Sequence, residues 1–519
     1  MDGATARSGI RRRRGAASAS GKSPSTSVIV VLVSFIATST LLLIWLMCMS
    51  MPSSTRPRAS PMSKGAAVFA TKKKTKARRR GDDGRVPAVV ELDDVGNGGD
   101  ADDKFGRIIN AELDLVAIDA VGIERVYAEG GSKYRGVRGI FCKLHWDKYK
   151  KDPPAFPMFK MLVQESKCDE VENLVSVDLA EIARRLDEEE TEQESMGIRA
   201  MAPAGFVFHE SRVGSTLVAN ALAAMDPSGH RVYSESDPIN RALSACEGFT
   251  RCDMEANVEL LRDVVFMMGR TSSPDERRMF FKVSSVGSKR IDVMRQAFEF
   301  VPWLFVYRDP VQTMMSHMDP TKMKRTVRGG YPPAVCLRAR RSPPEDLRRL
   351  VLKYDSGKRV EELSDEEFCA AHLVRYASKW EICSYSSIRS CLWFLSSDSP
   401  PFHYTSQATL CESALQQMNL SHQGAAVEYE GLVDKLIEEV FPKHFTIDID
   451  EAARQRILDV SKIYSKSNGH DLEWKDDSER KDSRATPEIV LASKKYLEKS
   501  YTDLAEHCIY NRDWHYVYT

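Results

Sequence analysis

The sequence predicts an α/β protein, a three-layer, doubly wound parallel sheet preceded by one transmembrane helix and a flexible stem. Three observations predict it. First, short apolar runs alternate with helix-forming stretches: GFVF (205–208), RVYSE (231–235), FFKVSS (280–285), WLFVYR (303–308) and AAVEYE (425–430). Buried strands interleaved with helices form a parallel sheet covered on both faces. Second, residues 28–49, VIVVLVSFIATSTLLLIWLMCM, are 22 residues without a charge, long enough to cross a hydrocarbon core of about 30 Å as a helix. Third, the charge is divided. Lys+Arg and Asp+Glu both number 74, yet residues 1–80 hold 16 basic residues and one acid, leaving the remainder at a net −15.

At 519 residues and 42% hydrophobic, the chain is too long for one ordinary domain and too apolar for a disordered protein. A basic head on an acidic body argues against a nucleic-acid binder, whose basic surface would lie on the folded part. Residues 1–27 read as a cytosolic basic tail and 28–49 as an uncleaved signal anchor. Six basic residues precede the run (Arg7, Arg11, Arg12, Arg13, Arg14, Lys22) and three follow it closely (Arg56, Arg58, Lys64), which places the body in the lumen. The competing reading is a cleaved signal peptide, whose apolar region usually spans about 7–15 residues. A second alternative is import into a plastid, because residues 50–80 have a transit-like composition. Residues 50–104 read as a disordered stem, with the ordered chain starting near Phe105. Residues 105–200 form an N-terminal accessory segment, in which SVDLAEIARRLDEEE (176–190) reads as a helix opened by Ser or Asp. Residues 201–519 are the main α/β domain.

Of eleven cysteines, Cys48 lies in the apolar run, and the other ten suit an oxidising lumen. Cys142 with Cys168, and Cys246 with Cys252, are candidate bridges; buried free thiols are the alternative. Asn419-Leu420-Ser421 is the sole glycosylation sequon.

The chemistry lies at the strand ends, where such sheets bind ligands. The first strand runs into His209-Glu210-Ser211-Arg212-Val213-Gly214-Ser215-Thr216, followed by the helical TLVANALAAM (216–225). A strand, a loop with glycine and hydroxyls, then a helix start can cradle a phosphate, through loop amides and the positive end of the helix. The Lys of a GxxxxGK[ST] loop is absent after Gly214, which disfavours a nucleotide kinase or NTPase. The fourth strand ends in Tyr307-Arg308-Asp309-Pro310-Val311-Gln312-Thr313-Met314-Met315-Ser316. Pro310 suits the first helical position. Arg308 at the strand tip and Ser316 about two turns into the helix can reach one further phosphate.

SRVGST followed by FVYRDPVQTMMS resembles the sulfotransferases that use 3′-phosphoadenosine 5′-phosphosulfate, the membrane-anchored Golgi type above all. AVEYEGLVDKL (426–436) is similar to a later element of that family, and the likeness covers about residues 203–510. It implies that Ser211, Arg212, Val213, Gly214, Ser215 and Thr216 bind the 5′-phosphosulfate. Arg308 and Ser316 would hold the 3′-phosphate. It also implies a type II Golgi membrane protein with a lumenal catalytic domain. Arg212 stands where soluble members carry Lys.

Sulfuryl transfer needs a base for the acceptor hydroxyl and positive charge at the leaving phosphate. Glu235, in YSESDPINRAL, is the first candidate for the base, and Arg212 for the charge. Asp237 and His209 are reserves, and Glu235 or Asp237 as a mere cap for the helix at Pro238 is the alternative. Lys282, Ser284 and Ser285 face the same cleft. No motif calls for a metal. The acceptor is expected to be a glycan or a protein tyrosine. Seven basic residues between Lys322 and Arg341, without an acid, suit an anionic acceptor or a solvated loop equally. A relative that binds without catalysis is the remaining alternative.

Overall fold

The computed structural model describes residues 88–89, 99–119, 134, 136–245, 254–318, 336–343, 345–355, 357–374, 414–419, 422–463 and 478–506. The chain divides into two units, Met1–Gly81 and Asp82–Thr519, and the first lies outside the described residues. So do the apolar run at 28–49, the pair Cys246 and Cys252, residues 420–421 of the sequon and most of the basic stretch after Lys322. Among the described residues no helix is long and apolar enough to cross a membrane.

The accessory segment is a four-stranded sheet with the order β1-β4-β3-β2. Its strands are β1 (Ala88–Val89), β2 (Asp114–Ile118), β3 (Arg138–Cys142) and β4 (Val175–Asp178). Helix α1 (Gly99–Ile109) buries Phe105 and Ile108. Regular structure therefore begins ahead of the expected start near Phe105. The Asp and Gly residues that open α1 hide its amphipathic face, and a two-residue strand has no readable period. The expected helix at 176–190 is also corrected. Ser176 and Val177 belong to β4, and Asp178 is the N-cap of α2 (Leu179–Glu188), its carboxylate accepting from the Glu181 amide at 3.0 Å. A disulfide joins Cys142 at the end of β3 to Cys168. A short antiparallel ladder pairs β5 (Arg199–Ala200), ahead of the main sheet in the chain, with β8 (Arg270–Thr271), which falls between two of that sheet's strands.

The main sheet contains all five expected strands, every pair parallel: β6 (Pro203–His209), β7 (His230–Ser234), β9 (Arg278–Lys282), β10 (Trp303–Tyr307) and β11 (Gly424–Glu428). Their order is β11-β10-β6-β9-β7. The strand carrying the first loop is thus central, and the strand carrying the second is its neighbour, with Val306 beside His209. Both β7 and β10 are buried along their whole length, as a sheet covered on both faces requires. Stacked rings fill one face, with Phe281 centred 5.7 Å from Phe206 and 5.2 Å from Tyr233.

The connecting helices are α3 (Ser215–Met225), α4 (Asp237–Ser244), α5 (Met254–Gly269), α6 (Ile291–Ala297) and α7 (Pro310–Met318). Two more, α8 (Glu345–Tyr354) and α9 (Asp365–Val374), precede β11 in the chain. After it come α10 (Glu451–Ser461), α11 (Ser478–Asp482) and α12 (Pro487–Tyr496). Helix α3 packs on α10, whereas α5 packs on α4 and α6, so the helices form two separate layers. A second apolar cluster joins α7, α8, α9 and α12, and the disulfide Cys336–Cys369 crosses it. Of the basic stretch, Arg340 bonds the Ser364 carbonyl at 3.1 Å and pairs with Asp365 at 3.1 Å. That side chain holds the start of α9 and does not wait for an acceptor.

Candidate functional site

Helix α3 begins at Ser215, one residue earlier than its sequence suggests, because Gly214 takes the N-cap position at φ +84°. A Cβ on Gly214 would lie 2.6 Å from two ring carbons of Tyr429. The position therefore requires glycine twice over, for its dihedral and for the ring that packs against it. Arg212, two residues earlier, also has positive φ, +73°. Ser211, Arg212 and Gly214 are half-buried, while Val213, Ser215 and Thr216 are buried. The loop thus leaves Ser211, Arg212 and Gly214 partly open to solvent and anchors itself through Val213, 1% exposed.

The second loop is built as expected around Pro310, the first residue of α7. Arg308 is only 4% exposed. Its Nε donates to Gln312 Oε1 at 2.8 Å, a terminal nitrogen donates to Ser478 Oγ at 2.9 Å, and its plane lies 3.9 Å from the centre of the Tyr429 ring. Ser316 Oγ donates to the Gln312 carbonyl at 2.9 Å, and Gln312 Nε2 donates to Asp482 at 3.0 Å. Arg308 and Ser316 therefore converge on Gln312. A phosphate seated there has to share or replace the Ser478 hydroxyl. Burial raises the pKa of Asp309, whose carboxylate accepts from the Gln312 amide at 3.0 Å.

Between the loops, the ends of β6, β7 and β9 bring together His209, Glu235 and Lys282. Lys282 Nζ donates to Glu235 Oε1, and the Glu235 amide donates to the Lys282 carbonyl at 2.7 Å. His209 Nε2 lies 3.7 Å from the same carboxylate oxygen. Lys282 is 1% exposed; burial lowers its pKa, and Glu235 opposes that shift. Glu235 has φ +53°. Strain in a non-glycine residue costs of order 1–3 kcal/mol and gathers at functional sites. Capping does not account for it, since Ser236 occupies the N-cap of α4 without a side-chain cap bond. Asp237 pairs instead with Arg241 at 2.6 Å, and burial raises its pKa against that partner.

The structure thus brings Glu235 together with two residues of second rank in the sequence reading, His209 and Lys282. Tyr429 has no role in that reading. The similarity of YEGL to the family's later element marks its position, but not that its ring touches both Gly214 and Arg308.

No protein-family model matches this chain, and no curated protein matches it in sequence. Among solved structures, the chain is similar to the sulfotransferase domain of the Synechococcus PCC 7002 olefin synthase. That alignment covers 59% of this chain and 94% of the other, with 11% identity and a TM-score of 0.27. A sulfotransferase domain of the curacin biosynthetic pathway aligns over 59% of this chain and 98% of its own, with 11% identity and a TM-score of 0.26. A Mycobacterium avium sulfotransferase aligns over 61% and 80%, with 11% identity and a TM-score of 0.29.

Proposed function

We propose that the protein is a sulfotransferase that moves the sulfuryl group of 3′-phosphoadenosine 5′-phosphosulfate to a hydroxyl of a glycan or a protein tyrosine. The observation that carries this reading is Tyr429. Its ring lies against both Gly214 and Arg308, so two anion-binding loops form one wall, with the Glu235–Lys282 pair on the adjacent strands. The donor's fit to this chain rests on that wall. Gly214 leaves no side chain between the loop backbone and Tyr429, and the helix start at Ser215 favours negative charge. In this reading the amides of Gly214, Ser215 and Thr216, with Ser211, hold the 5′-phosphosulfate, and Val213 pins the loop. Arg308 and Ser316 take the 3′-phosphate.

The transfer balances as an in-line displacement. The acceptor oxygen forms a new bond to sulfur, and the bond from sulfur to the bridging oxygen breaks. That electron pair stays on the phosphate of the adenosine bisphosphate, next to Arg212. The acceptor proton passes to Glu235, which Lys282 orients. Lys282 carries three N–H donors and bonds one carboxylate oxygen among the described residues, so donors remain for a sulfuryl oxygen.

A lumenal, membrane-anchored location belongs to the same proposal, with plastid import as its alternative. Two disulfides, Cys142–Cys168 and Cys336–Cys369, support an oxidising compartment. Protease protection of residues 105–519 in intact microsomes tests it. The activity is tested by incubating the full chain with sulfate-labelled donor and mixed glycans, peptides and small alcohols, beside retention on immobilised 3′,5′-adenosine bisphosphate. Retention with transfer is expected. Failure of both overturns the reading, and retention without transfer leaves a binding protein.

A further inference from the structure

A non-glycine residue keeps positive φ only where its surroundings over-determine it. Glu235, at φ +53°, therefore needs neighbours that hold the chain around it. On the side of the sheet its amide donates to the Lys282 carbonyl at 2.7 Å. On the other side β7 is the edge of the order β11-β10-β6-β9-β7, and the accessory segment packs there. Residues 143–167 form a loop closed at its base by the disulfide Cys142–Cys168. The loop is also tied across, the His145 amide donating to Ser166 Oγ at 2.9 Å. It carries two short helices, Trp146–Lys151 and Phe159–Glu165.

This loop grips β7 on both faces. Successive side chains of a strand point to opposite faces, so Arg231 and Tyr233 share one face and Ser234 lies on the other. On the first face the Trp146 ring is centred 4.9 Å from the Arg231 guanidinium and 5.2 Å from the Tyr233 ring, and Phe159 is centred 5.4 Å from Tyr233. On the second face Ser234 Oγ donates to the Pro157 carbonyl at 2.9 Å. Ser234 is 3% exposed and Pro157 is buried, so the bond lies away from water, where the low local dielectric strengthens it. It is made by the residue immediately before Glu235. Other bonds of the loop lie at the far end of β7, where Lys150 donates to Glu276 at 2.6 Å and to the Ser228 carbonyl at 3.3 Å.

We propose that Ser234 is a positioning residue for Glu235, and that the disulfide-closed loop of the accessory segment acts on the base through the bond from Ser234 to Pro157. The catalytic consequence rests on the sulfotransferase reading. A general base works only within about 2.6–3.2 Å of the proton it takes. Without the Pro157 bond the end of β7 relaxes from its strained conformation, and the carboxylate turns away from the acceptor. The donor wall is spared, because its loops follow β6, β10 and β11, on the other side of β9 from this edge.

The test compares Ser234→Ala with Glu276→Ala, which loosens the same loop at the amino end of β7 and leaves the Pro157 bond in place. Turnover per folded molecule, KM for the donor, affinity for 3′,5′-adenosine bisphosphate, and hydrogen exchange of the peptide covering residues 230–236 are measured on the full chain. Ser234→Ala should lower kcat about ten- to a hundredfold, the scale of a reacting group misplaced by about 1 Å. Donor KM and bisphosphate affinity should stay unchanged, and the Glu235 amide should exchange faster. The double variant Cys142→Ser with Cys168→Ser, which opens the loop at its base, should move kcat and exchange in the same direction. Glu276→Ala should keep its turnover per folded molecule. A kcat near the parent's in Ser234→Ala overturns the inference. Equal losses of kcat in Ser234→Ala and Glu276→Ala overturn it too, because the loop then acts through stability alone. If the parent itself transfers no sulfuryl group, the sulfotransferase reading falls, and exchange at the Glu235 amide alone decides whether Ser234 holds the strained residue.

Discussion

Strands β7 and β9 carry a buried ion pair at each of their two ends, and the pairs are built on opposite principles. At the amino end, Arg231 pairs with Glu276, contacts Asp114 at 3.4 Å, and donates to the Arg270 carbonyl at 3.1 Å and the Met268 carbonyl at 3.4 Å. Its guanidinium also lies 4.9 Å from the Trp146 ring centre. Glu276 further accepts from Lys150 at 2.6 Å and Thr271 at 2.6 Å. Lys150, Trp146 and Asp114 belong to the accessory segment, so this pair locks that segment to the main sheet. At the carboxyl end, Lys282 is as deeply buried, yet Glu235 is its partner, half-open to solvent and held at positive φ. Buried charge shared among many partners, as Arg231 is among Glu276, Asp114 and two carbonyls, reads as structure. Buried charge with one partner, on strained backbone and at the ligand end of a parallel sheet, reads as chemistry.

The largest effect that separates the two ends is on turnover. Glu235→Gln keeps shape and removes the basic carboxylate. Its kcat should fall about 10²–10⁴-fold with donor binding preserved, the usual span for a lost acid or base. Near-normal turnover would move the role to Asp237 or His209. At the other end the loss should appear as stability. Glu276→Ala leaves Arg231 buried without its main partner, and breaking a buried pair in this way costs roughly 3–5 kcal/mol. Denaturant unfolding measures it, and turnover per folded molecule should stay near that of the parent. The pH dependence has a definite sign. Burial pushes the Glu276 pKa up, but Arg231, Lys150 and Thr271 outweigh it and hold the carboxyl below its ordinary 4.5. The stabilisation is therefore present above pH 4.5 and is lost as pH falls through the lower, folded value. The Glu276→Ala variant should lack this acid-sensitive part.

The two arginines of the donor wall sharpen the site further. Arg308→Ala should weaken 3′,5′-adenosine bisphosphate by about 1.5–3 kcal/mol, roughly ten- to a hundredfold, and 5′-AMP hardly at all. Because Arg308 also holds Gln312 and Ser478, its melting temperature is read alongside. Equal loss for both nucleotides would refute the 3′-phosphate assignment. Arg212→Ala should lower turnover more than nucleotide affinity, since that charge is placed at the breaking bond.

How much of this was legible depends on where the information lies along the chain. The five parallel strands are readable because WLFVY or GFVF is buried on both faces, and a short apolar run between turn signals records that locally. SRVGST and YRDPVQTMMS are readable because a strand that turns through a short loop into a helix is a local device of backbone, glycine and proline. The accessory sheet is not readable. Its strand β1 has two residues, and RGIFC owes its burial to partners distant in sequence. The place of Tyr429 is hidden for the same reason, and so is the closeness of His209 and Lys282, both singled out in the sequence, to Glu235: each depends on which strands become neighbours. The order β11-β10-β6-β9-β7 sets β9 between β6 and β7, and that places Lys282 against Glu235.

The smallest expected effect is the most direct test of the comparison. Replacing a buried ion pair by apolar or neutral groups of similar shape is often neutral or stabilising, provided nothing else depended on the charges. At the carboxyl end the further neighbour is His209, 3.7 Å from the Glu235 carboxylate. Burial lowers the Lys282 pKa below 10.5 despite Glu235, so folding releases a proton from Lys282 between its folded value and 10.5. Stability from this group therefore rises with pH through that window, and below it the buried ammonium is a net cost to the fold. The double variant Glu235→Gln with Lys282→Met should consequently unfold within about 1 kcal/mol of the parent, or slightly later, while losing turnover. Its alkaline rise in stability should vanish with the lysine. The matching change at the amino end, Arg231→Met with Glu276→Gln, should not be neutral, because Lys150, Thr271 and Asp114 would lose partners they now have. If both double variants cost the same, the two ion pairs serve the fold alike, and the strain at Glu235 loses its functional reading.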